Sequence, residues 1–197
     1  MQEGRKRVPN AERTARTRAE LIAVARGLFV ERGYGGTGTP EIAARAGVTR
    51  GALYHHFADK QALMAAVVEA ENAAVGAAIE AAPGASGQGL AALRAGAAAY
   101  LAAMAVPGRA VLLLVEGPAV LGPAAARESD ARHARAQLRE GLAAAMAAGE
   151  VAALPLDALA EVLGAAFDGA ALALMQGRPA EEVAAAVIAL IDGLGRR

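Results

Sequence analysis

The side chains able to do chemistry are few and clustered. From Gly47 to Lys60 the chain reads GVTRGALYHHFADK, which brings Thr49, Arg50, Tyr54, His55, His56 and Lys60 into one short stretch. These are hydrogen-bond donors and cations, not a nucleophile with its base. His55 and His56 are adjacent, so on a helix their rings leave the axis about 100° apart and do not form a dyad. There is no Cys, the serines are Ser86 and Ser129, and neither HExxH nor GxxxxGK[ST] occurs. Thiol catalysis, thiolate zinc sites, zinc-protease and P-loop chemistry are thereby closed, and no enzyme activity, cofactor or metal is expected. What the cluster suits is an anionic partner, nucleic acid first.

The spacing around the cluster builds the elements that must hold it. Leu21, Ile22, Ala25, Leu28 and Phe29 form one stripe of a first helix over Arg18–Arg32. Thr39 offers an N-cap hydroxyl and Pro40 a first helical position for a short helix running to Ala46, where Gly47 can take the left-handed conformation of a tight turn. Thr49 caps the next helix, from Arg50 to about Phe57, and Asp59 caps a fourth beginning at Lys60. Two short helices joined by a glycine turn are a helix-turn-helix. Leu53 and Phe57, four apart, face inward, which turns Gly51 and His55 outward with Ala52 and Tyr54 beside them. Gly51 and Ala52 would let the backbone approach a major groove, Arg50 could reach a guanine edge or a phosphate, and Lys60 would sit beside a phosphate. Each residue taken singly also fits a solvated helix face, and Tyr54 or His56 a packing role. Charge points the same way as the cluster: residues 1–60 carry 11 Lys/Arg against 6 Asp/Glu, and the rest 9 against 14, so a net charge of zero divides into a basic module and an acidic body.

The string AGVTRGALYHHFADKQAL, residues 46–63, resembles the recognition motif of the tetracycline-repressor (TetR) family of bacterial transcriptional regulators. The likeness extends upstream through Phe29, Gly33, Tyr34, Thr37, Ile42 and Ala43, and so covers roughly residues 14–66. It implies that Thr39, Thr49, Arg50, Gly51, Ala52, Tyr54, His55, His56 and Lys60 lie at or near double-stranded operator DNA. Gly38 stands where the family usually has Ser or Thr, and Pro40 where a longer polar side chain can touch DNA, which leaves the second helix's contacts open.

The whole chain holds 57 alanines, most of them beyond residue 63, where there are almost no aromatics and turn signals fall at PGASGQG (83–89), Pro107-Gly108, Gly122-Pro123, Gly149–Pro155 and Gly177-Arg178. Helices are expected from Lys60 to Pro83, Leu90 to Val106, Pro123 to Ala148, Leu156 to Gln176 and Pro179 to Leu194, with a short apolar segment at Ala110–Val115. The fold is therefore all-α with about nine helices, and the resemblance implies a helix-turn-helix DNA-binding domain over 1–63 and a helical ligand-binding and dimerisation domain over 64–197. The last two helices are apolar nearly all round, through Leu159, Val162, Ala166, Ala170, Val183, Val187, Leu190 and Ile191, as if covered on one side by the chain's own core and on the other by a second copy. A monomer's core helix reads the same way; the family resemblance implies a homodimer, which two half-sites on DNA also require.

Polar residues in apolar surroundings mark a candidate small-molecule pocket: Glu116 at the end of VLLLVE, Asp168 after Phe167, His133 in the charged turn 127–135, and Tyr100 with Met104 as an adaptable wall. Glu116 and Asp168 would equally serve as partners for an Arg. The basic N-terminal stretch has no apolar run behind it, and the longest stretch without a charge, Ala95–Gly108, is short for a membrane span, so the expectation is a cytoplasmic protein without a membrane partner. These features point to a repressor released from its operator by a small molecule. A regulator whose ligand strengthens DNA binding and a helical interaction module are the alternatives, and the second leaves the outward face of residues 50–56 unexplained.

Overall fold

A computed structural model describes residues 10–85 and 87–195. The basic stretch of residues 1–9 and one of the two serines, Ser86, lie outside the described residues. All regular structure among the described residues is helical, in ten helices with a single isolated bridge between Val151 and Gly195. The chain divides into two compact units, one ending at Val67 and the other beginning at Val68.

In the first unit α1 spans Asn10–Arg32, α2 Thr39–Arg45, α3 Arg50–His56, and α4 begins at Lys60. Four of the five residues of the expected stripe, Leu21, Ala25, Leu28 and Phe29, are buried with Ile42, Ala43, Leu53, Phe57, Leu63, Met64 and Val67 in one core, and Ile22 is half-buried. α1 starts at Asn10, eight residues before the expected Arg18, because its first two turns are exposed and polar and carry no periodic signal. Gly47 adopts φ +68°, and the Val48 amide donates to the Ala43 carbonyl at 3.0 Å, closing the turn between α2 and α3. The Thr49 hydroxyl accepts from the Ala52 amide at 3.1 Å and the Asp59 carboxylate from the Ala62 amide at 2.7 Å, so both expected caps form. Thr39 departs from expectation. It is the first helical residue, not the cap; Gly38 precedes the helix with extended backbone and Pro40 falls one position later.

In the second unit α4 continues to Glu80, followed by α5 (Gly89–Met104), α6 (Arg109–Leu121), α7 (Pro123–Ala131), α8 (Ala134–Ala147), α9 (Leu156–Met175) and α10 (Ala180–Asp192). α5 packs against α8, α9 and α10, and α9 against α8 and α10. Leu93, Ala97, Leu101, Leu142, Ala145, Leu163, Phe167, Val187 and Ile191 are buried among them. The small residues make the close packing possible: a Cβ at Gly141 would stand 2.9 Å from Leu93 Cδ2. α6 is α-helical at both ends but passes through a π turn at Leu112–Glu116, with Leu112 and Leu113 buried and Val115 in solvent. Its N-terminal Arg109 donates to Glu71 at 2.9 Å in a nearly buried pair and to the Ala103 carbonyl at 2.9 Å. The single helix expected over Pro123–Ala148 is two: His133, at φ −124° and ψ −107°, breaks it where neither Gly nor Pro announces a break.

That break is held by a carboxylate. Glu69 Oε2 accepts from Arg132 Nη2 at 2.6 Å and from the Ser129 hydroxyl at 2.7 Å, while Oε1 lies 2.8 Å from His133 Nε2; Asn72 Nδ2 donates to Ser129 Oγ at 2.8 Å. Arg132 first, with His133 and Ser129, outweighs partial burial and holds the Glu69 carboxyl down at about 2, against an ordinary 4.5. A carboxyl whose folded value is depressed contributes stability that is complete above its unfolded value and is lost as pH falls through the folded one. The urea midpoint is therefore expected to fall more steeply between about pH 4.5 and 2 in the natural chain than in Glu69→Gln. Parallel pH profiles for the two proteins would show that Glu69 carries no such linkage.

Candidate nucleic-acid interface and cavity

The outer face of α3 presents the expected residues together. Thr49, Arg50, Gly51, Tyr54 and His55 are exposed, Thr39, Ala52 and His56 half-buried, and the buried Leu53 and Phe57 anchor the opposite side. Position 51 is open: a Cβ there would find nothing nearer than Thr49 Oγ1 at 3.8 Å. The Thr39 hydroxyl, released from capping, lies 3.0 Å from the Tyr54 hydroxyl, and the Arg50 guanidinium sits 5.9 Å from the Tyr54 ring centre. Hydrogen bonding to Thr39 and then Arg50 draws the Tyr54 hydroxyl below its ordinary pKa. Tyr54 thus joins α2 to the outer face of α3 while keeping 43% of its surface in solvent. The His55 and His56 rings meet edge-on with centres 5.6 Å apart, a packing contact and not a dyad.

Lys60 is turned differently from the expectation. Its ammonium donates to the Tyr34 carbonyl at 2.8 Å and the Thr37 carbonyl at 3.0 Å, and lies 4.0 Å from the centre of the Tyr34 ring. It pins the loop between α1 and α2, which Thr37 ties down from inside, its hydroxyl 2.9 Å from the Gly33 carbonyl. Two of the basic residues that made the module positive are likewise engaged at home: Arg32 with Glu41 at 2.6 Å and Arg45 with Glu31 at 3.3 Å. Arg50 is the cation that α3 itself displays.

Within the second unit a cavity of about 410 Å³ lies between the end of α4, α5, α8 and α9. Of the residues proposed from the sequence for a pocket, Tyr100, Phe167 and Asp168 line this cavity, and Met104 lines a smaller one of about 230 Å³ with Val75, Leu113 and Leu172. Glu116 and His133 line neither, the histidine being occupied with Glu69. The wall shared by the two cavities is a cluster centred on Arg135, a residue that the sequence shows only as one more arginine of a charged turn. Its Nε donates to Asp130 at 3.0 Å, its Nη2 reaches Asp130 at 2.9 Å and Asp168 at 3.2 Å, and its Nη1 donates to the carbonyls of Ala160 and Glu161 at 3.2 and 3.1 Å. Tyr100 donates its hydroxyl to Asp168 at 2.6 Å. Burial, reinforced by Asp130, pushes the Asp168 carboxyl above the usual range in spite of Tyr100 and Arg135; burial and the Asp168 charge push the Tyr100 hydroxyl up as well. The guanidinium reaches α9 only because position 164 is glycine, where any Cβ would overlap it.

A three-helix unit with a glycine-turn helix-turn-helix and an exposed, donor-bearing α3, joined to a helical unit that holds a half-enclosed cavity, defines the class of helix-turn-helix transcriptional regulators. The family model of bacterial regulatory proteins of the tetR family matches residues 21–67, and that of the tetracyclin repressor-like C-terminal domain matches residues 90–196. The chain belongs to the TetR family, whose members are DNA-binding transcriptional regulators and not enzymes. Among similar proteins, the transcriptional regulator CymR of Pseudomonas putida is 44% identical over 64 residues, 32% of either chain. The match thus spans about a third of such curated relatives. A TetR-family regulator from Pectobacterium atrosepticum, solved by crystallography, is 31% identical over 96% of this chain and 98% of its own, with a TM-score of 0.74. The structure of RolR in complex with resorcinol shares the fold at 22% identity, covering 92% of this chain and 90% of its own, with a TM-score of 0.68.

Proposed function

We propose that the protein is a cytoplasmic repressor that binds a near-palindromic operator as a homodimer and is released by a small molecule held in the second unit. The observation that carries the DNA half is the outward surface of α3, where Arg50, Tyr54 and His55 are displayed around an open Gly51. Two such helices in successive major grooves, about 34–36 Å apart or somewhat more, need two copies of the chain. The surface for the second copy is on α9 and α10. α9 is apolar along its length, yet only 28% of its most apolar stretch is buried, with Val162 69% and Leu190 of α10 50% exposed. Of the residues expected to face a partner, Val183, Val187 and Ile191 are instead covered by the chain's own helices, so the partner-facing set narrows to Leu159, Val162, Ala166, Ala170 and Leu190. By length and composition α9, and α4 with Glu69 and Glu71, could also cross a membrane, contrary to the expectation from uncharged stretches alone; a dimer interface accounts for α9, and the ion pairs of Glu69 and Glu71 account for α4.

The cavity and the structure of RolR with resorcinol support the ligand half of the reading. One helix, α4, carries Lys60 with its grip on the loop at one end and the cavity-lining Ile79 and Glu80 at the other, so a ligand that displaces its end acts on the reading unit. Coupling of this kind is typically worth about 1–3 kcal/mol, or a 5–150-fold loss of operator affinity, and is reciprocal. The test is selection of DNA fragments by the purified full chain, followed by binding of the selected site. Tyr54→Ala is expected to weaken binding to all sequences, and Arg50→Ala to flatten the salt dependence if it meets a phosphate or relax base preference if it meets a base. No enriched sequence, or unchanged affinity in both variants, would sink the reading.

A further inference from the structure

Resting on the ligand reading above, we infer that the larger cavity takes a lipophilic ammonium: an apolar body carrying a protonated nitrogen with N–H donors. The lining supplies acceptors and withholds donors. Arg135, the cation among the lining residues, donates four hydrogen bonds, to Asp130, Asp168 and the carbonyls of Ala160 and Glu161, and its Nη2 also lies 2.9 Å from Asp130, so its charge is already committed to two carboxylates. The Tyr100 proton is given to Asp168. Gln137 donates from Nε2 to the Gly76 carbonyl at 3.0 Å, which settles the orientation of its amide and leaves Oε1, wholly buried, an acceptor without a partner. Four carboxylates, Glu80, Asp130, Glu140 and Asp168, line the cavity against the one guanidinium, a surplus of negative charge that a cation relieves and an anion worsens. The remaining walls, Ile79, Leu93, Leu138 and Phe167 among them, are apolar and suit a hydrocarbon body.

The experiment is a matched series on the full chain at pH 7, with 4-phenylbutylamine, 4-phenylbutanol and 4-phenylbutyrate as probes that differ only in the polar end. Affinities are read by calorimetry and by thermal stabilisation, which grows with ligand concentration over Kd. The amine is expected to bind at least tenfold tighter than the carboxylate, with the alcohol between. In Glu140→Gln, where the side chain is exposed and the fold has little reason to change, the amine-to-carboxylate ratio is expected to shrink at least threefold. A carboxylate that binds as well as the amine overturns the ammonium assignment and leaves a small-molecule pocket standing. Equal binding of all three, indifferent to Glu140→Gln, reduces the site to an apolar hole and overturns it too. Absence of binding by all three overturns both the assignment and the pocket.

Discussion

Val162→Arg is expected to run as a monomer in sedimentation at micromolar concentration, with helical content unchanged. The side chain is 69% exposed in the single chain, so a guanidinium there meets water when the protein is alone. Only against a second copy does it become a desolvated, unpaired charge in the middle of an apolar face, at a cost of several kcal/mol. An interface of ordinary size offers about 800 Å² per partner, and two like charges near its centre are enough to raise the dimer constant by a factor of at least about 100. Operator affinity should fall with it, because each half-site alone binds without the gain from linkage to the other. Leu190→Arg, on the neighbouring helix and half exposed, is expected to act in the same direction more weakly. A Val162→Arg protein that still sediments as a dimer would place the interface on some other surface.

The second large effect is at Gly164. Alanine there would place its methyl group on the Arg135 guanidinium, so the arginine must leave, and with it the bonds to Asp130, Asp168 and the carbonyls of Ala160 and Glu161. The ion pairs are 21–32% exposed, between the surface case, worth little, and the buried case, where losing one partner costs about 3–5 kcal/mol. A loss of about 2–3 kcal/mol is expected, which lowers the melting temperature of a chain this size by roughly 4–12 °C. Gly169→Ala on the same helix is the control. Its Cβ meets nothing within 4 Å, and the higher helix propensity of alanine should leave stability equal or improved by up to about 1 kcal/mol. If Gly164→Ala melts with the natural chain, the guanidinium does not hold α9 in place.

These two sites differ in how far the sequence discloses them. The helix-turn-helix is legible because its determinants are local: Gly47 with its positive φ, Thr49 and Asp59 capping amides three residues on, and Leu53 and Phe57 one turn apart. The same local logic misplaces Thr39, whose hydroxyl prefers Tyr54, fifteen positions away, to the cap. Around the cavity nothing local is decisive. Arg135 draws its meaning from Asp168 and Gly164 on another helix, and His133 from Glu69 on a third, so a charged turn reads alike whether it faces water or walls a pocket. Tyr100, Phe167 and Asp168 are legible as polar or aromatic exceptions in an alanine-rich background, whereas Gln137, equally part of the wall, resembles the solvated residues beside it.

The π turn of α6 bears on chain length. In an unbroken α-helix one residue more or less swings everything beyond it by about 100° and carries a buried face into solvent. A wide turn holds the additional residue locally, with i→i+5 bonding in place of i→i+4, so that Arg109 on one side and Gly117–Leu121 on the other each keep the neighbours they have. Gly117 marks how tightly that closure is drawn, since a Cβ there would stand 2.7 Å from the Leu112 carbonyl oxygen. Loss of Val115, whose side chain is in solvent, would return the ladder to ordinary spacing without re-aiming either flank. The middle of α6 is therefore where this helical body has a residue of length in reserve.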